Sequence, residues 1–78
     1  MNVDVVIVSH QTRDLVLGCV DSVYRAAPRS VTVVDNASDD GTAEAIRASH
    51  PELTLVANET NVGYGAAANQ GVRLGDAR

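Results

Sequence analysis

Residues 31–42 read Val-Thr-Val-Val-Asp-Asn-Ala-Ser-Asp-Asp-Gly-Thr, and they decide how the rest of the chain is interpreted. The first four residues are β-branched, which is typical of a strand buried inside a parallel sheet. The turn-forming residues 35–41 then end the strand, and Gly41 relaxes the backbone before a helix. That helix should turn Ala43 and Ile46 inward. The stretch therefore predicts one strand, one polar turn and one helix.

Comparable units lie on both sides of this stretch. Residues 3–8 and 53–57 are short, mainly apolar runs that predict two further strands. Helical spacing of apolar residues predicts one helix before Pro28, and a third helix is expected over residues 66–74. The order β-α-β-α-β-α predicts an α/β, Rossmann-like, three-layer fold with a parallel sheet and right-handed crossovers.

The predicted helices have defined faces and ends. The apolar face of the first helix lies within residues 15–24 and includes Cys19, which we expect in the core. His50 precedes a proline, so we interpret it as a surface residue that ends the second helix. Gly75 should end the third helix, because glycine readily adopts the left-handed conformation found at helix ends. Small residues at 66–68 should let this helix pack closely on the sheet.

Polar residues are concentrated where the predicted strands end, in segments 9–11, 35–38 and 58–65. Parallel sheets bind ligands beyond the carboxyl ends of their strands, so these segments predict a ligand site on one rim. Asp35 is the leading candidate there. Capping a helix does not require an acid at a strand end, whereas a carboxylate can accept hydrogen bonds from a base imide or a ribose hydroxyl.

The remainder of the central turn has a structural interpretation. We interpret four of its residues as helix-capping rather than ligand-binding residues: Ser38, Asp39, Asp40 and Thr42. The adjacent carboxylates of Asp39 and Asp40 raise a metal site as an alternative. Hard cations need several converging oxygens, however, so a solvated helix start is favoured.

The glycines after the third strand imitate a dinucleotide-binding fingerprint, with Gly63-x-Gly65 followed by a small residue three positions later. We reject this interpretation, because that fingerprint belongs in the tight turn directly after the first strand. Close packing explains the alanines of the segment but not Asn61 or Asn69. These two asparagines are therefore kept as ligand-binding candidates.

Composition excludes several classes of function. The chain has 78 residues, enough for one small domain, and a formal net charge of −4. Its six basic residues are all scattered arginines, so we expect no nucleic-acid partner. A single cysteine cannot form an internal disulfide, and neither a signal peptide nor a membrane-spanning run is visible. These features predict a cytoplasmic location.

Three segments, in this order and at this spacing, resemble the opening of a family 2 glycosyltransferase. They are Val6-Ile7-Val8-Ser9-His10, Val33-Val34-Asp35-Asn36-Ala37-Ser38-x-Asp40-Gly41-Thr42 and Asn61-x-Gly63-Tyr64-Gly65-x-Ala67-x-Asn69-x-Gly71. The resemblance covers essentially the whole chain and is greatest to bacterial rhamnosyltransferase-like members. Gln11 departs from the asparagine that family members often carry at this point.

The resemblance implies the N-terminal part of a GT-A fold over residues 1–78, with a UDP- or dTDP-linked sugar as partner. It also implies a role in cell-surface polysaccharide synthesis, in the cytoplasm or at the inner face of the membrane. Carried over by position, it arranges eight residues around the nucleotide: Ser9, His10, Asp35, Asn36, Asn61, Gly63, Gly65 and Asn69.

The family further implies a divalent cation, Mn²⁺ or Mg²⁺, held by an Asp-x-Asp motif on a later strand, and a catalytic base later still. We therefore assign no catalytic or metal-binding residue in this chain and expect no turnover from these 78 residues alone. In the family the first strand pairs with a strand that comes later in the sequence. Without that partner strand, residues 3–8 should form an exposed edge that can pair in a homodimer. The alternative function is a non-catalytic α/β module that binds a nucleotide or only self-associates.

Overall fold

The computed structural model describes the backbone of residues 3–76 and the side chains of residues 3–73. Strands and helices alternate along the chain. The elements are β1 (Asp4–Ser9), α1 (Arg13–Arg25), β2 (Ser30–Asn36), α2 (Thr42–Ser49), β3 (Thr54–Asn58) and α3 (Tyr64–Asp76). The predicted order of elements is confirmed.

The three strands form one parallel sheet in the order β1-β2-β3. Helices α1 and α2 contribute Val16, Val20 and Ile46 to a core that includes Val31 and Val33 of β2. Helix α3 packs against β1 and β2 from the opposite face, because successive side chains of a strand alternate between the two faces. The α/β, Rossmann-like, three-layer prediction is therefore confirmed, and the sheet agrees with the N-terminal part of a GT-A fold.

Strand β2 is the buried centre of the sheet. Every residue from Val31 to Asn36 is buried, because a strand lies on each side and a helix layer lies on each face. Each of the three strands extends beyond its predicted carboxyl end, so that Ser9, Asp35 and Asn58 are strand residues. Polar side chains are tolerated at these positions because they bond to one another, as described below.

The predicted apolar face of α1 is partly wrong. Val16 and Val20 are buried as expected, but Leu15 is 77% exposed and Cys19 is also exposed. Helix α1 lies mainly against β1 and α2, and β1 is an edge strand among the described residues. The helix therefore buries a narrow stripe with a four-residue spacing, and the neighbouring stripe of Leu15 and Cys19 lies beyond the sheet edge.

The bounds and contacts of α3 also differ from the prediction. The helix begins at Tyr64 rather than residue 66, and it continues through Gly75, which is therefore not its stop. Of the three consecutive alanines only Ala67 is fully buried. The close approach to the sheet occurs at Gly71, where an added Cβ would lie 2.3 Å from a methyl carbon of Val6.

His50 ends α2 as predicted, but its side chain is half-buried rather than exposed. Its ring stacks on the ring of Tyr24 with 5.0 Å between centroids, and its Nε2 lies 2.8 Å from a carboxylate oxygen of Asp21. The side chain of His50 is only 16% exposed. It therefore connects the C-terminal end of α2 to α1, a contact that local sequence does not reveal.

Strand β1 lies at an edge of the sheet and, within the part of the chain that the structure describes, pairs only with β2. The carbonyl of Val3 accepts a hydrogen bond from the N–H of Arg29, on the β2 side. Because backbone groups alternate in direction along a strand, those of Val6 and Val8 face away from β2. Within the described residues β1 is therefore an edge strand, as expected, although its side chains from Asp4 to Val8 are half-buried.

Over residues 3–76, none of the helices is long and apolar enough to span a bilayer.

Candidate functional site

Asp35 is the centre of a polar cluster at the carboxyl ends of β1 and β2. Asp35 is only 2% exposed. The hydroxyl of Ser9, opposite Asp35 in the sheet register, donates to Oδ1 at 3.1 Å, and the hydroxyl of Ser38 donates to the same oxygen at 2.5 Å. Two hydroxyl donors therefore converge on one carboxylate oxygen and use both of its acceptor positions.

The second oxygen of Asp35, Oδ2, accepts no hydrogen bond from any residue that the structure describes. Over the same residues, no buried side-chain nitrogen or oxygen lacks a partner. Oδ2 therefore keeps contact with solvent, although Asp35 as a whole is only 2% exposed. A carboxylate oxygen held in this way can accept a hydrogen bond from an N–H or O–H group of a ligand.

The loops after β1 and β2 are joined by Gln11. The N–H of Gln11 donates to the hydroxyl oxygen of Ser38 at 2.8 Å. Its side-chain amide donates to Asp39 Oδ1 at 2.6 Å and accepts the N–H of Asp39 at 2.9 Å. Gln11 has a left-handed backbone conformation, with φ of 52°, which directs both groups toward the second loop. Ser38 and Asp39 therefore hold the two loops together, and the prediction that they cap α2 is wrong.

Asp40 is the residue that caps, and it serves two helices. Its Oδ1 accepts the N–H of Thr42 at 3.2 Å, and its Oδ2 accepts the N–H of Arg13 at 3.1 Å. Gly41 makes this possible with a left-handed φ of 82°. The hydroxyl of Thr42, which also donates to Asp40, is the main cause that lowers the pKa of the Asp40 carboxyl.

His10 lies on the exposed side of the same rim. Its Nδ1 is 2.6 Å from the backbone carbonyl oxygen of Asn36. A carbonyl oxygen only accepts hydrogen bonds, so Nδ1 carries the proton and donates it. The bond fixes the His10 ring at the carboxyl end of β2 and leaves Nε2 without a partner among the described residues.

Asn36 connects the rim to the loop after β3. This residue is only 3% exposed. Its Oδ1 accepts the N–H of Val62 at 3.0 Å and the side-chain amide of Asn58 at 3.3 Å, while its Nδ2 donates to the carbonyl of Gly63 at 3.3 Å. The side chain of Asn36 is therefore committed to holding the loop in place.

Asn58 and Gln70 form a reciprocal amide pair that the sequence interpretation missed. Asn58 Nδ2 donates to Gln70 Oε1 at 2.9 Å, and Gln70 Nε2 donates to Asn58 Oδ1 at 3.1 Å. The pair fastens the end of β3 to α3. The spacing of twelve residues gives no local signal, although the sheet register pairs Asn58 with Asn36.

Of the residues predicted in the third segment, Asn61 and Gly63 lie next to Asn36, whereas Gly65 and Asn69 lie in α3. Asn61 accepts the N–H of Gly63 at 2.8 Å, and Gly63 adopts a left-handed φ of 86°. Both are exposed and adjoin the Asn36 contacts. Gly65 and Asn69 are exposed residues of α3, and no hydrogen bond within the described residues joins the Asn69 side chain to the cluster. Hydrogen bonds therefore link Ser9 to Asp35, His10 to Asn36, and Asn36 through Gly63 to Asn61.

The described residues do not fit a divalent metal. Among them, no group of three or more His, Cys, Asp or Glu side chains is placed to hold an ion. The carboxylates of Asp39 and Asp40 accept hydrogen bonds from Gln11 and from the backbone of Arg13, respectively, instead of converging.

A parallel α/β chain whose linked polar side chains gather at the carboxyl ends of the strands is Rossmann-like, and proteins of this class bind ligands at that edge of the sheet. The model of the family described as Glycosyl transferase family 2 matches residues 4–77. The chain therefore belongs to glycosyltransferase family 2. A search of curated proteins found no match.

Proposed function

We propose that this chain binds the nucleotide of a UDP- or dTDP-linked sugar, as the donor-binding segment of a glycosyltransferase that acts in cell-surface polysaccharide synthesis. The observation that carries the proposal is the arrangement of Asp35. One carboxylate oxygen is held by Ser9 and Ser38, and the other is left accessible at the rim. Family membership supplies the class of reaction.

The chemistry of Asp35 favours a uracil or thymine base. Both bases carry an imide N–H, which can donate to Oδ2, whereas cytosine has a lone pair at that ring nitrogen. Two acceptors facing each other repel, and the desolvated carboxylate would then be left without a partner. His10, held through Nδ1 by the carbonyl of Asn36, would contact a ribose hydroxyl through Nε2.

The start of α3 suits the diphosphate. The first turn of α3, which begins at Tyr64, contains no acidic residue, and the free N–H groups of a helix start attract anions. Gly63 and Gly65 have no side chains to obstruct a phosphate, and no atom lies within 4 Å of a Cβ added at either. Asn61 and Asn69 border this approach as further donors to phosphate or ribose oxygens.

Several finer expectations belong to the same proposal. They are a rhamnosyltransferase-like specificity, a cytoplasmic location at or near the inner face of the membrane, and a requirement for Mn²⁺ or Mg²⁺. The cation would neutralise charge on the departing diphosphate. Its Asp-x-Asp ligands and the catalytic base are expected beyond residues 1–78, so the proposal assigns binding and orientation of the donor to this chain.

The proposal is tested by titrating the chain with UDP, dTDP and CDP while recording amide NMR spectra. We expect UDP or dTDP to shift the signals of Ser9, Asp35 and Asn61, and CDP to bind more weakly. Asp35→Asn should weaken UDP binding by about tenfold, since a charge-assisted hydrogen bond is lost. Asp14→Asn is the control, because Asp14 is an exposed acid outside the cluster. Absence of binding by all three nucleotides would contradict the proposal.

A second candidate function is self-association through β1, favoured by the unpaired backbone of Val6 and Val8. A twofold antiparallel pairing centred on Val6 would place Val8 opposite Asp4 of a second copy. Asp4 is neutralised by an ion pair with Arg29, so two such edges do not repel. An apolar groove of about 200 Å³, lined partly by Leu15 and Cys19, adjoins the edge.

Sedimentation over a range of concentrations tests this second candidate. We expect a dimer that Leu15→Glu weakens, since the substitution introduces a charge beside the edge without affecting the core. Ala48→Glu on the exposed side of α2 introduces the same charge elsewhere and should leave the dimer intact. A monomer at every concentration would exclude pairing through β1.

A further inference from the structure

We infer that Ser38 is a positioning residue that sets the base selectivity of the nucleotide site. The inference rests on the proposed function, because it concerns how Asp35 is aimed at the base. Ser38 does not need to contact the nucleotide itself. It acts through two hydrogen bonds, one to Asp35 and one to the loop after β1.

The direction of both hydrogen bonds is determined by the chemistry of the partners. The backbone N–H of Gln11 can only donate, so the oxygen of Ser38 accepts it at 2.8 Å. The ionised carboxylate of Asp35 can only accept, so the single hydroxyl proton of Ser38 is directed to Oδ1 at 2.5 Å. The chain of bonds therefore has one polarity, from the Gln11 backbone through Ser38 to Asp35.

This polarity has a consequence for the rotation of the carboxylate. Ser9 also donates to Oδ1, at 3.1 Å, and it belongs to β1 rather than to the loop. Two donors that approach Oδ1 from different elements hold the carboxylate plane, and Oδ2 is then the only oxygen left for a ligand. Without Ser38 a single donor remains, and Asp35 can rotate or present either oxygen.

The effect on selectivity follows from the preorganisation of Asp35. A fixed acceptor gains most from a base that donates an imide N–H, and it repels a base that has a lone pair there. A carboxylate that is free to rotate binds the imide N–H less tightly. It can also turn away from a base that has a lone pair at that position, which relieves the repulsion. Removing the Ser38 hydroxyl should therefore weaken UDP binding while changing CDP binding little.

The experiment compares the dissociation constants of UDP and CDP for four chains: the unsubstituted chain, Ser38→Ala, Ser38→Thr and Ser22→Ala. Ser38→Ala should weaken UDP by roughly tenfold and CDP by less than about twofold. Ser38→Thr keeps the hydroxyl and should restore the preference for UDP. Ser22 is an exposed serine of α1 and provides the matched control. Melting temperatures are recorded for all four chains.

A purely structural serine would give a different result. If Ser38→Ala leaves the ratio of the UDP and CDP dissociation constants unchanged, the inference is overturned and the proposed function stands. The ¹³Cγ NMR signal of Asp35 in the ligand-free chains tests the inference even when no nucleotide binds. If the unsubstituted chain binds neither nucleotide, the proposed function fails, and a ¹³Cγ shift in Ser38→Ala but not in Ser38→Thr still supports control of Asp35 by Ser38. An unchanged ¹³Cγ signal overturns it.

Discussion

The carboxylate of Asp40 accepts the backbone N–H of Arg13 at 3.1 Å, although the two residues are 27 positions apart. The other oxygen of the same carboxylate caps α2 through the N–H of Thr42. Thr12, at the N-cap position of α1, makes no side-chain cap of its own. One side chain thus satisfies donors at the starts of two helices and links them next to the candidate site.

Replacing Asp40 should therefore destabilise both helices together. We expect Asp40→Ala to lower the melting temperature more than Asp14→Ala does, because Asp14 is an exposed acid in the first turn of α1 that caps no N–H in the structure. Thermal unfolding followed by circular dichroism provides the measurement. Equal losses for the two variants would show that the shared cap contributes nothing.

The contribution of Asp40 should also depend on pH. Its pKa is lowered in the folded chain, chiefly by the Thr42 hydroxyl. A lowered carboxyl pKa stabilises the fold at pH values above the unfolded-state pKa, which is about 4, and this stabilisation is lost as the pH falls through the folded-state pKa. The difference in urea midpoint between the unsubstituted chain and Asp40→Ala should therefore shrink from about pH 6 to about pH 2. A constant difference would contradict the expectation.

Gly71 and Gly18 should respond oppositely to alanine. At Gly71 an added Cβ would lie 2.3 Å from a methyl carbon of Val6, so Gly71→Ala should destabilise the chain by about 1–3 kcal/mol through overpacking. At Gly18 nothing lies within 4 Å, and Gly18→Ala should stabilise α1 by about 0.5–1 kcal/mol. Urea unfolding of both variants measures the difference. If both variants were more stable than the unsubstituted chain, the side chain of Val6 would have to move aside with no loss of free energy.

The Asn58–Gln70 pair should behave as a unit in a double-mutant cycle. Each single change to leucine removes both hydrogen bonds of the pair and should cost about 1–3 kcal/mol of unfolding free energy, because polar atoms of the remaining partly buried amide lose their partner. The double variant should cost less than the sum of the single variants, because the two bonds between Asn58 and Gln70 are then lost only once. Asn69→Leu is the control, since Asn69 is exposed and should change stability by less than about 0.5 kcal/mol. Additive losses would contradict the coupling.

Much of the candidate site could be predicted from the strands alone. Asp35 follows four β-branched residues, and parallel strands bring their carboxyl ends to one rim, so Ser9 and Asp35 were expected near each other. The role of Ser38 could not be predicted. A serine near a helix start has an ordinary use as a cap, and only the position of Gln11 from another loop shows that Ser38 serves Asp35 instead.

The sequence by itself determined the order of elements, the parallel sheet and the rim on which Asp35 lies, because these depend on local apolar patterns and on rules of chain connection. The tertiary structure alone decided which stripe of α1 is buried, why Cys19 and Leu15 are exposed, and how Asn36, Asn58 and Gln70 hold the third loop. Those contacts join residues 12 to 27 positions apart. Spacing along the chain carries no signal for such pairs, since their distance is set by the packing of whole strands and helices.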